Sequence, residues 1–136
     1  KLALGFGLIF GFCFWTASLV VPGIVTRWGA GWGIRGIDDV AAWPIYSIVI
    51  TILILAMTPV KNTLIRTHES EADAFGLDIA REPDGFAQAA MQLSEYRKIE
   101  PGQMEEFLFY DHPSGRTRVQ KSMEWKARHL ADPQLR

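Results

Sequence analysis

The sequence predicts an all-α integral membrane chain, a two-helix transmembrane hairpin followed by a small helical tail. Residues 2–26 and 40–60 contain no Asp, Glu, Lys or Arg, which leaves charge-free stretches of 25 and 21 residues. A hydrocarbon core about 30 Å thick needs about 20 helical residues, with every backbone amide satisfied inside the segment. Neither stretch shows the polar stripe that marks a helix packed in a soluble bundle. From Lys61 onward the charge density rises abruptly, and nothing there reads as a strand.

The first helix is expected over residues 2–21, ending near Pro22 and Gly23, since a proline beside a glycine disfavours continuation. Gly7 and Gly11 have the spacing that lets two membrane helices approach closely. Lys1 ahead of an apolar run also fits a signal peptide, but the run is longer than the 7–15 residues of such an apolar region. Residues 26–39 form a loop rich in Gly and Trp, and Trp28, Trp32 and Trp43 are expected at the water interface, where indole rings prefer to lie. Pro44 falls in the first turn of the second helix, where its missing donor costs little.

The domain boundary is thus set near Thr58 and Pro59, giving a hairpin over 1–59 and a tail over 60–136. Three tail helices are expected, over residues 60–81, 84–98 with Asp84 as cap, and 113–129, with Pro101 and Gly102 breaking the chain between the last two. Phe86, Ala90 and Leu93 on one helix, and Val119 and Met123 on another, have apolar faces to bury.

The net charge of −1 and the pI near 6.3 give no basic stripe, which excludes nucleic acid as a partner. The single cysteine, Cys13, lies inside the first apolar stretch, can form no internal disulfide and reads as a small buried side chain.

Asn62, Arg66, Glu69 and Asp73 are offset by 0, 4, 7 and 11 residues, which places them within about 60° of one another on a helix. By spacing alone the stripe fits a solvated face stitched by ion pairs of Arg66 with Glu69 or Asp73. The pattern NxxxRxxExxAD, matched by Asn62, Arg66, Glu69, Ala72 and Asp73, resembles the downstream motif of the CAAX prenyl protease and HtpX-like membrane zinc metallopeptidases. That resemblance implies a zincin-type tail in which Glu69 is the third zinc ligand. Asp73 is then the supporter of a metal-ligating histidine, with Asn62 and Arg66 behind them. A carboxylate with two imidazoles leaves an open zinc position for water, and an outer carboxylate fixes a ligating histidine's tautomer. His68 and Glu71 point off the stripe, and His68-Glu69 does not open HExxH, because position 72 is alanine.

About forty residues later, FYDHPSGRTRV is similar to the family's HPxxxxR element at His112, Pro113 and Arg118. The resemblance gives His112 the stabilisation of the oxyanion of a tetrahedral intermediate, with Arg118 holding the arrangement. Asp111 and Pro113 also suit the opening turn of a helix. Arg116 is a second candidate for the role of Arg118. His129, near the carboxy-terminal end, is expected to be exposed.

The histidines are His68, His112 and His129, and no two have the four-residue offset that places two imidazoles on one helical face around a metal. The zinc expected from the resemblance therefore draws its first two ligands, and the glutamate that acts as general base, from an HExxH outside this sequence. The chain reads as the carboxy-terminal piece of a membrane zinc metalloendopeptidase and as inactive alone. Its expected partners are the upstream catalytic half of the same polypeptide, a peptide or protein substrate such as a prenylated one, and the lipid bilayer. Lys1, Lys61 and Arg66 flank the outer ends of the hairpin, while Arg27 and Arg35 share its loop with Asp38 and Asp39. This bias puts the zinc side in the cytoplasm of a multi-pass protein of a bacterial inner membrane or the endoplasmic reticulum. The alternative is a non-catalytic two-span scaffold or regulatory subunit with a helical protein-binding tail.

Overall fold

A computed structural model describes residues 1–94, 98–131 and 133. Its regular structure among these residues is entirely helical, as α1 (Leu2–Trp28), α2 (Trp43–Ala56), α3 (Thr58–Ala80), α4 (Pro83–Leu93), α5 (Gln103–Phe109) and α6 (Gly115–Arg128). The contacts divide the chain into two compact units, Lys1–Lys61 and Asn62–Arg136.

In the first unit, α1 buries Cys13, Ala17, Val21 and Val25. Their spacing of four keeps them on one face. Val21 and Val25 join Ile34 and Ala42 in a core against which Ile45, Tyr46 and Val49 of α2 pack. This packing carries α1 through Pro22 to Trp28, seven residues beyond the expected end. Pro22 donates no backbone hydrogen bond, but a long apolar helix offers its other backbone groups no better partner than each other. The Thr26 hydroxyl adds a bond of 2.8 Å to the Pro22 carbonyl. Gly7 and Gly11 are exposed and meet nothing within 4 Å, so the buried column of α1, not this pair, is the face that packs on α2.

The expected loop of residues 26–39 shortens, because α1 continues to Trp28 and the 3-10 turn Gly29–Trp32 follows. Gly33 closes that turn with φ +75°, a conformation open to glycine. Asp39 caps the next 3-10 turn by accepting the Ala41 amide at 3.1 Å, and this amide together with the Arg35 backbone and side chain holds its carboxyl below the usual range. Trp28, Trp32 and Trp43 are all exposed.

The second apolar stretch is not one uninterrupted helix. At 14 residues, α2 spans only about 21 Å, and the helical path breaks at Met57 before Thr58 opens α3. The segment Leu2–Trp32 is long and apolar enough to cross a membrane by itself; residues 40–80 pass the same test only when joined across the break.

In the second unit, α4 and α6 pack together. Leu77, Ala90 and Trp125 are buried among them, whereas Leu93 and Met123, expected in apolar faces, are exposed. The Trp125 indole N–H donates to Asp78 at 2.6 Å, and the Ser122 hydroxyl donates to the Pro83 carbonyl at 2.5 Å. The end of α3 is set by Arg81 at φ +55°, which turns the chain toward Pro83. The cap of α4 is Glu82 and not Asp84, because Pro83 takes the first helical position that it suits best. α4 is described to Leu93; residues 95–97 of the expected helix 84–98 lie outside the described residues.

The sequence predicts no helix between residues 101 and 112, yet α5 forms there. Its seven residues are too few to show a periodicity, and Glu105 opens it by accepting the Gly102 amide at 3.1 Å. Lys98 donates to the same carboxylate at 2.8 Å, holding the Glu105 carboxyl below its usual range and the Lys98 ammonium above its own. The last helix starts two residues later than expected, at Gly115, because Ser114 caps it by accepting the Thr117 amide at 3.2 Å. His129 is half-buried and not exposed, stacked on Trp125 with ring centroids 4.0 Å apart and with Nδ1 donating to the Trp125 carbonyl at 2.8 Å.

The closest approach in this unit is at Gly115, where an added Cβ would lie 2.3 Å from the Ser94 hydroxyl oxygen and 2.9 Å from the Ser94 Cβ. Replacement of Gly115 by Ala is therefore expected to destabilise the chain by about 1–3 kcal/mol in urea unfolding, the usual cost of overpacking. Adding Ser94→Gly should recover most of that loss; a double variant as unstable as Gly115→Ala alone would contradict the packing described.

Candidate active site

The stripe Asn62, Arg66, Glu69 and Asp73 lies along α3 as the spacing predicts, but its members do not pair with one another. Each reaches a different point of the chain that runs from Glu106 in α5 to Arg118 in α6. The Asn62 side chain, 2% exposed, donates to the Leu108 carbonyl at 3.1 Å. Arg66 donates through Nη1 to the Glu106 carbonyl at 2.9 Å and to the Tyr110 carbonyl, and through Nη2 to the Thr63 hydroxyl at 2.8 Å. Glu69 Oε1 meets Nδ1 of His112. Asp73 accepts two bonds from Arg118, from Nε at 2.8 Å and from Nη2 at 2.6 Å.

These contacts have a physical logic. The last carbonyls of a helix have no partner within it and carry its negative dipole end. Asn62 supplies a donor to the Leu108 carbonyl, and Arg66 adds a charged one of the right sign to the Glu106 carbonyl, which also accepts the Tyr110 amide at 3.2 Å. They therefore position the turn at residues 110–113, and with it His112. Glu106 holds the other side of that turn, since its carboxylate accepts the Ser114 amide at 3.1 Å. The expected ion pairs of Arg66 with Glu69 or Asp73 do not form, because the carbonyls of α5 engage Arg66 and Arg118 engages Asp73.

Glu69, Asp73, His112 and Arg118 line one cavity of about 400 Å³, with Ala72, Leu93, Ser94 and Pro113 completing its wall. The two carboxylates are partly buried, with 32% and 14% of their side chains exposed. Of the two arginines, Arg118 stands at this cavity with its guanidinium 5.3 Å above the Phe86 ring. Arg116 instead pairs with Glu100 at the surface, where both side chains are more than 60% exposed. His68 faces Glu71 at 3.6 Å, off the stripe. Phe86 and Leu93 were legible only as part of an apolar face, and Ser94 and Glu106 carried no signal in the sequence, since only the fold brings them to the site.

Among the described residues, no three His, Cys, Asp or Glu side chains gather closely enough to hold a metal ion. Glu69 and His112 do bring one oxygen and one nitrogen donor to the same cavity. A catalytic zinc takes three protein donors and keeps a position open. The described residues offer fewer donors than that, so a zinc held by Glu69 would need further ligands from elsewhere.

Residues 8–126 match peptidase family M48, and the chain belongs to that family of zinc metallopeptidases. It is also similar to the uncharacterized metalloprotease YhfN of Bacillus subtilis (strain 168), at 25% identity over 89 residues, which are 64% of this chain and 21% of that protein. The aligned part is thus about a fifth of the length of that relative. No solved structure matches the chain significantly.

Two measurements test this geometry. Arg66→Met removes the donors to two carbonyls and is expected to cost about 1–3 kcal/mol of stability in urea. Its amide exchange should rise first in α5. A double-mutant cycle of Asp73→Asn with Arg118→Gln should show about 1–3 kcal/mol of coupling, whereas the exposed pair Glu100 with Arg116 should show less than about 1 kcal/mol. Equal coupling at both pairs would contradict the assignment.

Proposed function

We propose that this chain is the carboxy-terminal part of a membrane-embedded zinc metalloendopeptidase of the CAAX prenyl protease and HtpX-like type, which hydrolyses peptide bonds. The observation that carries the reading is the meeting of Glu69 and His112 in a cavity backed by Asp73 and Arg118. Glu69 would hold a zinc through its carboxylate, with the metal's other protein ligands supplied by an HExxH in a part of the polypeptide outside this sequence. The metal, when bound, polarises the scissile carbonyl and lowers the pKa of a bound water.

What this chain's own residues do follows from their placement. His112 donates a hydrogen bond to the oxyanion that forms when water adds to the carbonyl. Its position is held by Asn62, Arg66 and Glu106 through the turn that carries it. Asp73 accepts two bonds from Arg118, which fixes the plane of its carboxylate. A carboxylate has about four lone-pair sites, so Asp73 can still accept the outer N–H of a zinc-bound imidazole. The chain alone, without HExxH, is inactive. Prenylated CAAX proteins and misfolded membrane proteins are the two substrate classes that fit such a protein. It is a two-span, multi-pass membrane protein with its zinc side in the cytoplasm, of a bacterial inner membrane or the endoplasmic reticulum.

In the full-length protein, Glu69→Gln is expected to lose bound zinc and activity together. His112→Gln should keep its zinc and lose turnover by about 10²–10³-fold. Normal zinc content and activity in Glu69→Gln would sink the ligand assignment. The topology has its own test, with single cysteines placed by Gly36→Cys and Ala131→Cys in a Cys13→Ser background. A membrane-impermeant maleimide should reach them from opposite faces of sealed vesicles. Labelling of both from one face would leave α1 as a lone span.

A further inference from the structure

A second cavity, of about 270 Å³, lies behind the Asp73–Arg118 pair and is bordered by both of those residues. Leu77, Phe86 and Trp125 give it an apolar lining, and Arg118, Lys121 and Arg128 also border it. Trp125 offers ring surface only, since its N–H is committed to Asp78 at 2.6 Å.

The charges around this cavity are not balanced. Asp73 neutralises Arg118 through two bonds. Glu124 accepts from Gln120 at 2.8 Å and is the remaining carboxylate set against two cations, Lys121 and Arg128. Among the described residues, Lys121 has no ion-pair partner, and Arg128 donates only to the Glu124 carbonyl, at 3.3 Å. Among the lining side chains one positive charge is in excess, and the Asp78 carboxylate stands behind Trp125, where it accepts the indole N–H. The volume falls just under the range of about 300–1,000 Å³ typical of pockets for drug-sized ligands. It suits a body of about one large amino-acid side chain.

We infer that this cavity is a second binding site, separate from the Glu69–His112 cavity, for a small apolar group that ends in a carboxylate. The apolar body packs on Leu77, Phe86 and Trp125, and the carboxylate accepts charge-assisted hydrogen bonds from Lys121 and Arg128. Two sources share that chemistry, the carboxyl-terminal apolar residue of a peptide and the head of a short acyl chain. The inference stands apart from the zinc reading, because it needs no metal and is tested by binding.

The test uses the chain in nonionic detergent, with the Trp125 indole N–H followed by nitrogen-15 NMR. The probes are N-acetyl-Phe-Leu as free acid, the same dipeptide as its amide, and octanoate. The free acid is expected to shift the Trp125 resonance saturably, and the amide to bind at least about tenfold more weakly. Lys121→Gln with Arg128→Gln, both at exposed positions, should weaken the acid by a similar factor and leave the amide unchanged. Saturation by octanoate and not by the dipeptide supports the site and assigns it to acyl chains. Equal binding of acid and amide, or a Trp125 resonance that no probe moves, would overturn the inference.

Discussion

The second unit depends on one constraint, the donors and acceptors that α3 presents along a single face. Asn62 and Arg66 meet the carbonyls of Leu108, Glu106 and Tyr110, and further along the helix Glu69 and Asp73 meet His112 and Arg118. The chain from 106 to 118 is thereby aligned along α3 in one register. A slip would part the Asn62 amide from the Leu108 carbonyl, at a cost of about 1–3 kcal/mol for each buried group left unpaired. Short, irregular chain can be a precise part of a site when a rigid helix fixes it in this way.

This alignment separates two kinds of residue in the stripe. Asn62 and Arg66 spend their donors on backbone carbonyls, so they act on the position of His112 without facing the cavity chemistry themselves. Glu69 and Asp73 face the cavity. Arg118 then links that cavity to the core, since its guanidinium lies between Asp73 and the Phe86 ring of α4. Replacing it with lysine would keep the charge and lose both the forked pairing and the stacking.

Much of this was legible in the sequence because helical periodicity is a strong signal over long elements. The 23 residues of α3 place the stripe on one face, and the charge-free run predicts α1. The boundaries were less legible, since local rules competed with packing. Pro22 would end a solvent-exposed helix, but Val21 and Val25 are buried on either side of it. α5 left no signal because it is short and is held by Arg66 and Asn62, forty and more residues away in sequence. For the same reason spacing alone could not choose between Arg116 and Arg118; what separates them is that one meets Asp73 at the cavity and the other Glu100 at the surface.

α3 and the turn before α6 bring Glu69 and His112 to one cavity, and the proposed function makes Glu69 a zinc ligand there. The most direct measurement is an anomalous-difference map at the zinc edge from crystals of the full-length protein. A zinc peak is expected about 2.0–2.2 Å from a Glu69 carboxylate oxygen, with His112 on the same side of the cavity and Asp73 still bound to Arg118. A zinc peak away from Glu69, or a Glu69 side chain turned out of the cavity in the metal-bound protein, would contradict it.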